Sequence, residues 1–184
     1  MGWFLLFWGF LMIQRLTEVR IAKSNEQKLR RKGAVEAGKE HYKWMVLLHA
    51  SFFVVFFLEV ALMDARPPSW RMIPFILFLI AQVIRVWVIS SLGVYWNTKI
   101  LLLPGANVIA KGPYRFMRHP NYTVVSLELF VIPLIFGAFF TAALFTILNI
   151  LMLRVRIPAE EKALMELTDY EKSHGQKQRF FPSQ

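Results

Sequence analysis

The chain has 184 residues and a mass of 21.5 kDa, which is room for a single domain, residues 1–184. Its residues are 56% apolar, 15% aromatic and 18% charged, with a mean hydropathy of +0.43. Soluble domains carry roughly 25% charged residues, more than this chain. The high apolar fraction excludes a disordered chain, and together with the low charge it indicates a protein solvated by lipid. The absence of cysteine excludes disulfides, thiolate zinc sites and thiol nucleophiles.

Apolar runs predict an all-α polytopic membrane protein with about five transmembrane helices. The predicted spans cover residues 2–16, 44–63, 70–92, 122–136 and 139–153, the last two forming a short helical hairpin. Residues 17–43, between the first two spans, are predicted to be an aqueous helix and loop on the membrane face. After the last span we expect a cytoplasmic helix from Pro158 to about Ser173, stopped by Gly175.

The distribution of lysine and arginine predicts the orientation. Residues 15–43, residues 93–121 and the tail from Arg154 hold nine, four and six of them, whereas the opposite side holds only Arg66 and Arg71. Basic loops stay in the cytoplasm, so the N-terminus is expected outside and the C-terminus in the cytoplasm. The net charge of +10 then indicates anionic lipid as a partner, and no nucleic acid. The apolar N-terminus has no cleavage site and is expected to remain as a helix.

The segment GPYRFMRHPNY, residues 112–122, holds the densest group of polar side chains. Pro120 suits the first position of a helix, so the remaining N–H groups of that turn are predicted to face an anion such as a carboxylate. His119 titrates near neutrality and can donate or accept a proton. In the alternative interpretation, Arg115 and Arg118 bind lipid phosphates and His119 only caps the helix.

A second polar cluster, Arg156 with Glu160 and Glu161, follows the fifth span. If the hairpin returns the chain to its starting face, this cluster lies close to His119. The two regions then form a polar pocket at the membrane border, open to cytosol and to lipid. Alternatively, the two glutamates only offset the dipole of the helix that they begin.

Several polar residues lie inside the predicted spans. Charges at such depth are costly and mark substrate pathways, so Gln82, Arg85 and Glu128 are predicted to contact the substrate. Arg85 could instead extend its side chain to the cytoplasmic end of its span. His49 and Glu59 are expected to be satisfied by hydrogen bonds between helices.

Three successive features of the sequence resemble the isoprenylcysteine carboxyl methyltransferase family of integral membrane enzymes. They are GPYRFMRHPNY, the helical hairpin that follows it, and RVRIPAEEKAL at residues 154–164. Trp87, the Leu92–Gly93 pair and Trp96 also fit its pattern, so the likeness covers about residues 75–182. Residues 33–50 are similar to the small bacterial branch, which implies a bacterial-type cytoplasmic membrane.

The resemblance implies a methyltransferase that uses S-adenosylmethionine, with a cofactor pocket in residues 93–122 and 154–182 and a lipid-facing tunnel for the acceptor. The positions that would line the cofactor are Tyr114, His119, Pro120, Tyr122 and Glu160. Arg156 and Glu161 would orient the acceptor, and no metal is required. In this sequence Val124 stands where the family commonly has glycine, and its bulkier side chain is expected to narrow helix packing or reshape the tunnel.

The chemical class of the acceptor stays open at this point. A carboxylate needs no base, and Arg156 can hold it with two hydrogen bonds. A phenol or enol needs a base such as His119 or Glu161 to take its proton. The bacterial character and Val124 favour a lipid-tailed hydroxyl or enol. A sterol-reductase-like enzyme that uses NADPH and a non-catalytic membrane adaptor that binds anionic lipid are the alternative functions.

Overall fold

The computed structural model describes residues 1–63, 65–171 and 178–180. Within them the five helices are α1 Gly2–Arg31, α2 Lys39–Leu62, α3 Met72–Leu92, α4 Pro120–Ile135 and α5 Phe139–Leu167. Two three-residue strands, β1 Val35–Ala37 and β2 Ile100–Leu102, pair antiparallel with Glu36 opposite Leu101. The fold is therefore all-α, as predicted, apart from this small sheet, which the sequence analysis did not anticipate.

Three helical segments are long and apolar enough to span a membrane, namely Lys39–Leu62, Met72–Tyr95 and Phe139–Leu167. α4 is apolar but has only 16 residues. In α1 the apolar run is interrupted by Gln14, Arg15 and Glu18. The prediction of about five spans is thus supported by length and composition for three helices.

α1 is longer than predicted. It runs for 30 residues and includes much of the segment that was expected to be partly loop. One face stays buried along its length, through Phe4, Phe7, Leu11, Glu18, Ala22, Asn25 and Leu29. Near its end, Asn25 donates hydrogen bonds to the carbonyl oxygens of Gly93 (3.1 Å) and Trp96 (2.8 Å). Tertiary contacts therefore keep this polar half helical, which hydropathy alone cannot indicate.

α5 is also one continuous helix, where the sequence predicted a span ending near residue 153 and a separate helix beginning at Pro158. The proline lies inside α5 and removes one backbone hydrogen bond. The buried side chains of Arg156, Ile157 and Glu161 anchor the helix on both sides of it. α5 ends at Leu167, and the predicted stop at residues 173–175 lies outside the described residues.

An aromatic core fills the end of the bundle where α1 begins. The rings of Phe4 and Phe7 lie 5.2 and 5.3 Å from that of Phe136, just after α4, and Phe52 of α2 lies 5.3 Å from Phe145 of α5. The Phe4–Phe136 and Phe52–Phe145 pairs are edge-to-face, and such pairs add to the stabilisation from burial. α4 consequently begins, and α5 ends, at the opposite end of the bundle.

The turn between α4 and α5 contains Gly137, as predicted for the hairpin. Its φ of 75° is left-handed, and a Cβ there would overlap the carbonyl oxygen of Arg66. The Glu59 carboxylate of α2 then accepts hydrogen bonds from the backbone N–H groups of Phe140 (3.0 Å) and Thr141 (2.7 Å). Glu59 therefore caps α5, which confirms that hydrogen bonds between helices satisfy it.

Candidate active site

The start of α4 is arranged as the sequence predicted. His119 is the N-cap and Pro120 the first helical residue, and among the described residues no side chain caps the helix. The His119 N–H donates to the carbonyl oxygen of Arg179 (3.1 Å), and Thr123 is the first residue that donates within the helix, to His119 (3.2 Å). The two N–H groups before Thr123 have no partner among residues 1–63, 65–171 and 178–180, and can receive an anion.

The His119 ring lies between two carboxylates of α5. Its Nε2 is 3.0 Å from Glu161 Oε1, and its Nδ1 is 3.9 Å from Glu160 Oε2. The ring also stacks on that of Tyr122, at 5.4 Å between centroids. The predicted convergence of the start of α4 with the end of α5 is therefore confirmed.

A chain of hydrogen bonds joins Glu160 to Arg156. The Tyr122 hydroxyl donates to Glu160 Oε2 (2.5 Å) and accepts from Arg156 Nε (2.8 Å), while Arg156 Nη2 donates to the carbonyl oxygen of Thr98 (2.6 Å). The Arg156 side chain is 4% exposed, and its Nη1 has no partner among the described residues. Two sides of the guanidinium are thus fixed, and the third is left for a ligand.

The Glu161 carboxylate lies behind His119. It accepts two hydrogen bonds from Arg179, at 3.0 and 2.6 Å, and lies 3.6 Å from Arg118. Glu161 is not among the residues that line the cavity described next. This geometry suits orientation of the His119 ring better than contact with an acceptor. Sequence reasoning missed Arg179, because the polar tail has no pattern that distinguishes it.

A cavity of about 450 Å³ adjoins these residues, a size suited to a small-molecule ligand. The predicted site residues that line it are Arg85, Tyr114, His119, Tyr122, Arg156 and Glu160. Leu16 and Val19 of α1 and Val46 of α2 also line it, yet they are 56%, 55% and 48% exposed. The cavity therefore reaches the outer surface of the bundle between α1 and α2.

Two tyrosines at the wall of the cavity stay protonated. Burial, with the negative charge of Glu160 nearby, raises the pKa of Tyr114 far above its ordinary value. Burial also raises the pKa of Tyr170 to about 12, assisted by Glu161. Both phenols are therefore uncharged at neutral pH.

A buried polar network forms part of the cavity wall through Arg15, Glu18 and Arg85. Glu128 Oε2 is 2.5 Å from Arg85 Nη1 and 2.7 Å from Arg15 Nη2, and Glu128 Oε1 accepts from Gln82 (2.7 Å). Glu18 completes the network through ion pairs with both arginines. Two positive and two negative charges balance each other. The alternative that Arg85 extends to the cytoplasmic end is wrong, since Arg85 is buried and paired.

Only one of the three residues predicted to contact the substrate lines the cavity, namely Arg85. Gln82 and Glu128 lie behind it and hold it in place. Sequence reasoning missed Arg15 and Glu18, which do line the cavity. Their signal was present, as two opposite charges three residues apart at the end of an apolar helix.

Pro120 and Val124 are buried in α4 and do not line the cavity. The bulk of Val124 is thus accommodated in helix packing, and the expected effect of this residue on the acceptor tunnel has no support in the geometry. Within the described ranges, no group of three His, Asp or Glu side chains is placed to hold a metal ion.

The sequence pattern of the isoprenylcysteine carboxyl methyltransferase (ICMT) family matches residues 72–166. The uncharacterized protein YpbQ of Bacillus subtilis (strain 168) is 46% identical over 166 residues, which cover 90% of this chain and 98% of YpbQ. An uncharacterized protein of Haemophilus influenzae is 28% identical over 154 residues, 83% of this chain and 90% of its own.

Proposed function

Because the chain belongs to the isoprenylcysteine carboxyl methyltransferase family, we propose that it transfers a methyl group from S-adenosylmethionine to an oxygen of a lipophilic acceptor. The observation that carries this proposal is the meeting of His119, Glu160 and Arg156 at the wall of one cavity that reaches the surface between α1 and α2. Polar groups that can hold the donor and an apolar path for a lipid tail thus share one space.

The chemistry of the lining residues fits S-adenosylmethionine. Its carboxylate suits the available N–H groups at the start of α4, beside His119 and Pro120. Its ammonium or ribose hydroxyls can donate to Glu160, and the Tyr114 and Tyr122 rings supply flat surfaces. When bound, this cofactor supplies an electrophilic methyl group on a sulfonium.

The acceptor is assigned to the part of the cavity nearer α1 and α2. Arg156 Nη1 is oriented by the bonds of the other two nitrogens and can hold the reacting oxygen of the acceptor. Arg85 also lines the cavity, positioned by Gln82 and Glu128. Side chains that hold the acceptor in place before methyl transfer lower the activation barrier, because little translational and rotational entropy is then lost in reaching the transition state.

The orientation in the membrane follows from the basic residues. Most lysines and arginines lie at the end of the bundle that holds the site. We therefore assign the site and the C-terminus to the cytoplasmic face of a bacterial cytoplasmic membrane, in contact with anionic lipid.

Calorimetric titration of the detergent-solubilised protein with S-adenosylhomocysteine tests this function. We expect saturable binding, weakened roughly 10- to 150-fold in Glu160→Gln, because a hydrogen bond to a charged group is lost. Lys162→Gln is the matched control, since Lys162 lies on the same helix with a side chain 78% exposed. Binding of NADPH with no response to S-adenosylhomocysteine would identify a reductase, and a response to neither would favour a non-catalytic adaptor.

A further inference from the structure

One imidazole in the cavity has no part in the site described so far. His49 of α2 lines the cavity, and its Nδ1 lies 2.8 Å from the carbonyl oxygen of Met45, one turn earlier. A carbonyl oxygen can only accept, so Nδ1 carries the proton. In the neutral ring Nε2 therefore has a free lone pair, and no described residue is its partner.

The other potential bases at the cavity wall are already engaged. The carboxylate and imidazole side chains that line the cavity are Glu18, His49, His119 and Glu160. Glu18 pairs with two arginines, Glu160 Oε2 accepts from the Tyr122 hydroxyl, and His119 Nε2 bonds Glu161 while its Nδ1 faces Glu160 at 3.9 Å. His49 is the one of the four that forms no ion pair or hydrogen bond with another side chain among the described residues.

The position of His49 suits a ligand that enters from lipid. Val46, on the preceding turn of α2, marks the opening of the cavity at the outer surface. The charged groups that act on or lie around the ring are Arg15 and Glu18 of α1, Arg85 of α3 and Arg156 of α5. Glu18 and Glu128 balance Arg15 and Arg85, so Arg156 is the cation that favours an oxygen becoming negative as it loses its proton.

We propose that His49 is the general base of the reaction, and that the acceptor is therefore a lipid-tailed phenol or enol that binds with its proton still attached. This inference rests on the proposed methyl transfer and adds to it the residue that receives the proton. A carboxylate acceptor is ionised at neutral pH and would leave the free lone pair of His49 without a use.

In this step each bond that forms replaces one that breaks. The acceptor O–H bond breaks, its proton goes to His49 Nε2, and the electron pair stays on oxygen. The oxygen uses a pair to form the new O–CH₃ bond while the bond from that methyl carbon to sulfur breaks, and the sulfur keeps the electrons. Deprotonation of the imidazolium by water in the cavity restores the base.

The test compares His49→Gln with wild type on two acceptors of similar shape. The first is 4-nonylphenol, whose hydroxyl has a pKa of about 10, as in tyrosine, and is protonated at neutral pH. The second is 4-nonyl-2-nitrophenol, in which the nitro group makes the hydroxyl more acidic. Both are assayed at about pH 9, roughly one unit below the ordinary phenol pKa, where the nitrophenol is largely ionised and 4-nonylphenol is still mainly protonated. A proton acceptor contributes roughly 10²- to 10⁴-fold. We expect that loss with 4-nonylphenol and almost none with the nitrophenol.

Ser51→Ala is the matched control, because Ser51 is on the same helix, does not line the cavity and donates to the Leu48 carbonyl oxygen, its one partner in the described part of the chain. A second readout needs no turnover. In protein with ¹⁵N-labelled histidine and bound S-adenosylhomocysteine, the His49 ring should show a protonated Nδ1 and a bare Nε2, and 4-nonylphenol should shift only the Nε2 signal. His49→Gln assigns the resonance.

The possible outcomes separate the two proposals. Equal losses on both phenols, or an unchanged rate with 4-nonylphenol, would overturn the role of His49 while leaving the methyl transfer intact. Methylation of N-acetyl-S-farnesylcysteine with none of either phenol would overturn the acceptor class. If S-adenosylhomocysteine does not bind wild type, the proposed function itself fails.

Discussion

Glu128→Gln is the sharpest test of the buried network, because one carboxylate there serves two guanidiniums. The side chains of Glu128 and Arg85 are 2% and 6% exposed, so water cannot replace the lost charge. An amide in this place would also set its NH₂ group against either an arginine or the amide nitrogen of Gln82. The variant is left with two arginines and one carboxylate, that of Glu18.

The expected cost follows from this burial. Removing one partner of a buried ion pair costs about 3–5 kcal/mol, since the remaining charge stays buried without compensation. In a protein of this length, 1 kcal/mol corresponds to roughly 2–4 °C in melting temperature. The melting temperature of Glu128→Gln should therefore fall by roughly 6–20 °C.

Thermal unfolding in detergent, followed by tryptophan fluorescence, measures this shift. Glu166→Gln is the control, because the Glu166 side chain is 61% exposed and its ion pair with Lys162 is long, at 3.9 Å. The double variant Arg85→Met with Glu128→Leu removes one charge of each sign and should lose less than Glu128→Gln alone. A fall in melting temperature below about 2 °C in Glu128→Gln would refute the reasoning. It would also be refuted if the double variant lost as much in melting temperature as its two single substitutions together.

Three further predictions concern other parts of the structure. Arg156→Ala should lower turnover roughly 10²- to 10³-fold and leave calorimetric binding of S-adenosylhomocysteine nearly unchanged, and equal turnover would refute its contact with the acceptor. Glu59→Gln should weaken the cap at Thr141 by about 1 kcal/mol, which thermal unfolding should show as a lower melting temperature, whereas an unchanged one would contradict the cap. Charge reversal of the exposed Lys28 and Lys32 should reduce turnover in vesicles with phosphatidylglycerol but not in purely zwitterionic ones, and equal effects in both would exclude a role for anionic lipid.

Hydropathy predicts the fold wherever an element is defined by a long apolar run. α2 and α3 therefore appear close to their predicted bounds. It fails where tertiary contacts decide, as in the second half of α1, which Asn25 ties to the loop after α3. The small sheet is equally hidden, because three-residue strands form only when the fold brings them together.

The candidate site could be predicted to the extent that topology determines it. Two neighbouring helices that turn at Gly137 must bring residues near His119 and Glu160 to the same end of the bundle. The sequence could not indicate which side chains then face the cavity. Glu161 was expected to touch the acceptor but bonds Arg179, a residue that local pattern does not distinguish. Such contacts depend on rotamers and on the path of the tail.

Transfer of an isotope-labelled methyl group tests the central claim most directly. The purified protein is incubated with labelled S-adenosylmethionine and a lipid extract of the host membrane, and the products are analysed by mass spectrometry. We expect wild type to label a lipid at oxygen, and Glu160→Gln and Arg156→Ala to label little or none of it. A complete absence of labelled lipid with wild type, or equal labelling by both variants, would contradict the assignment of methyl transfer to this cavity.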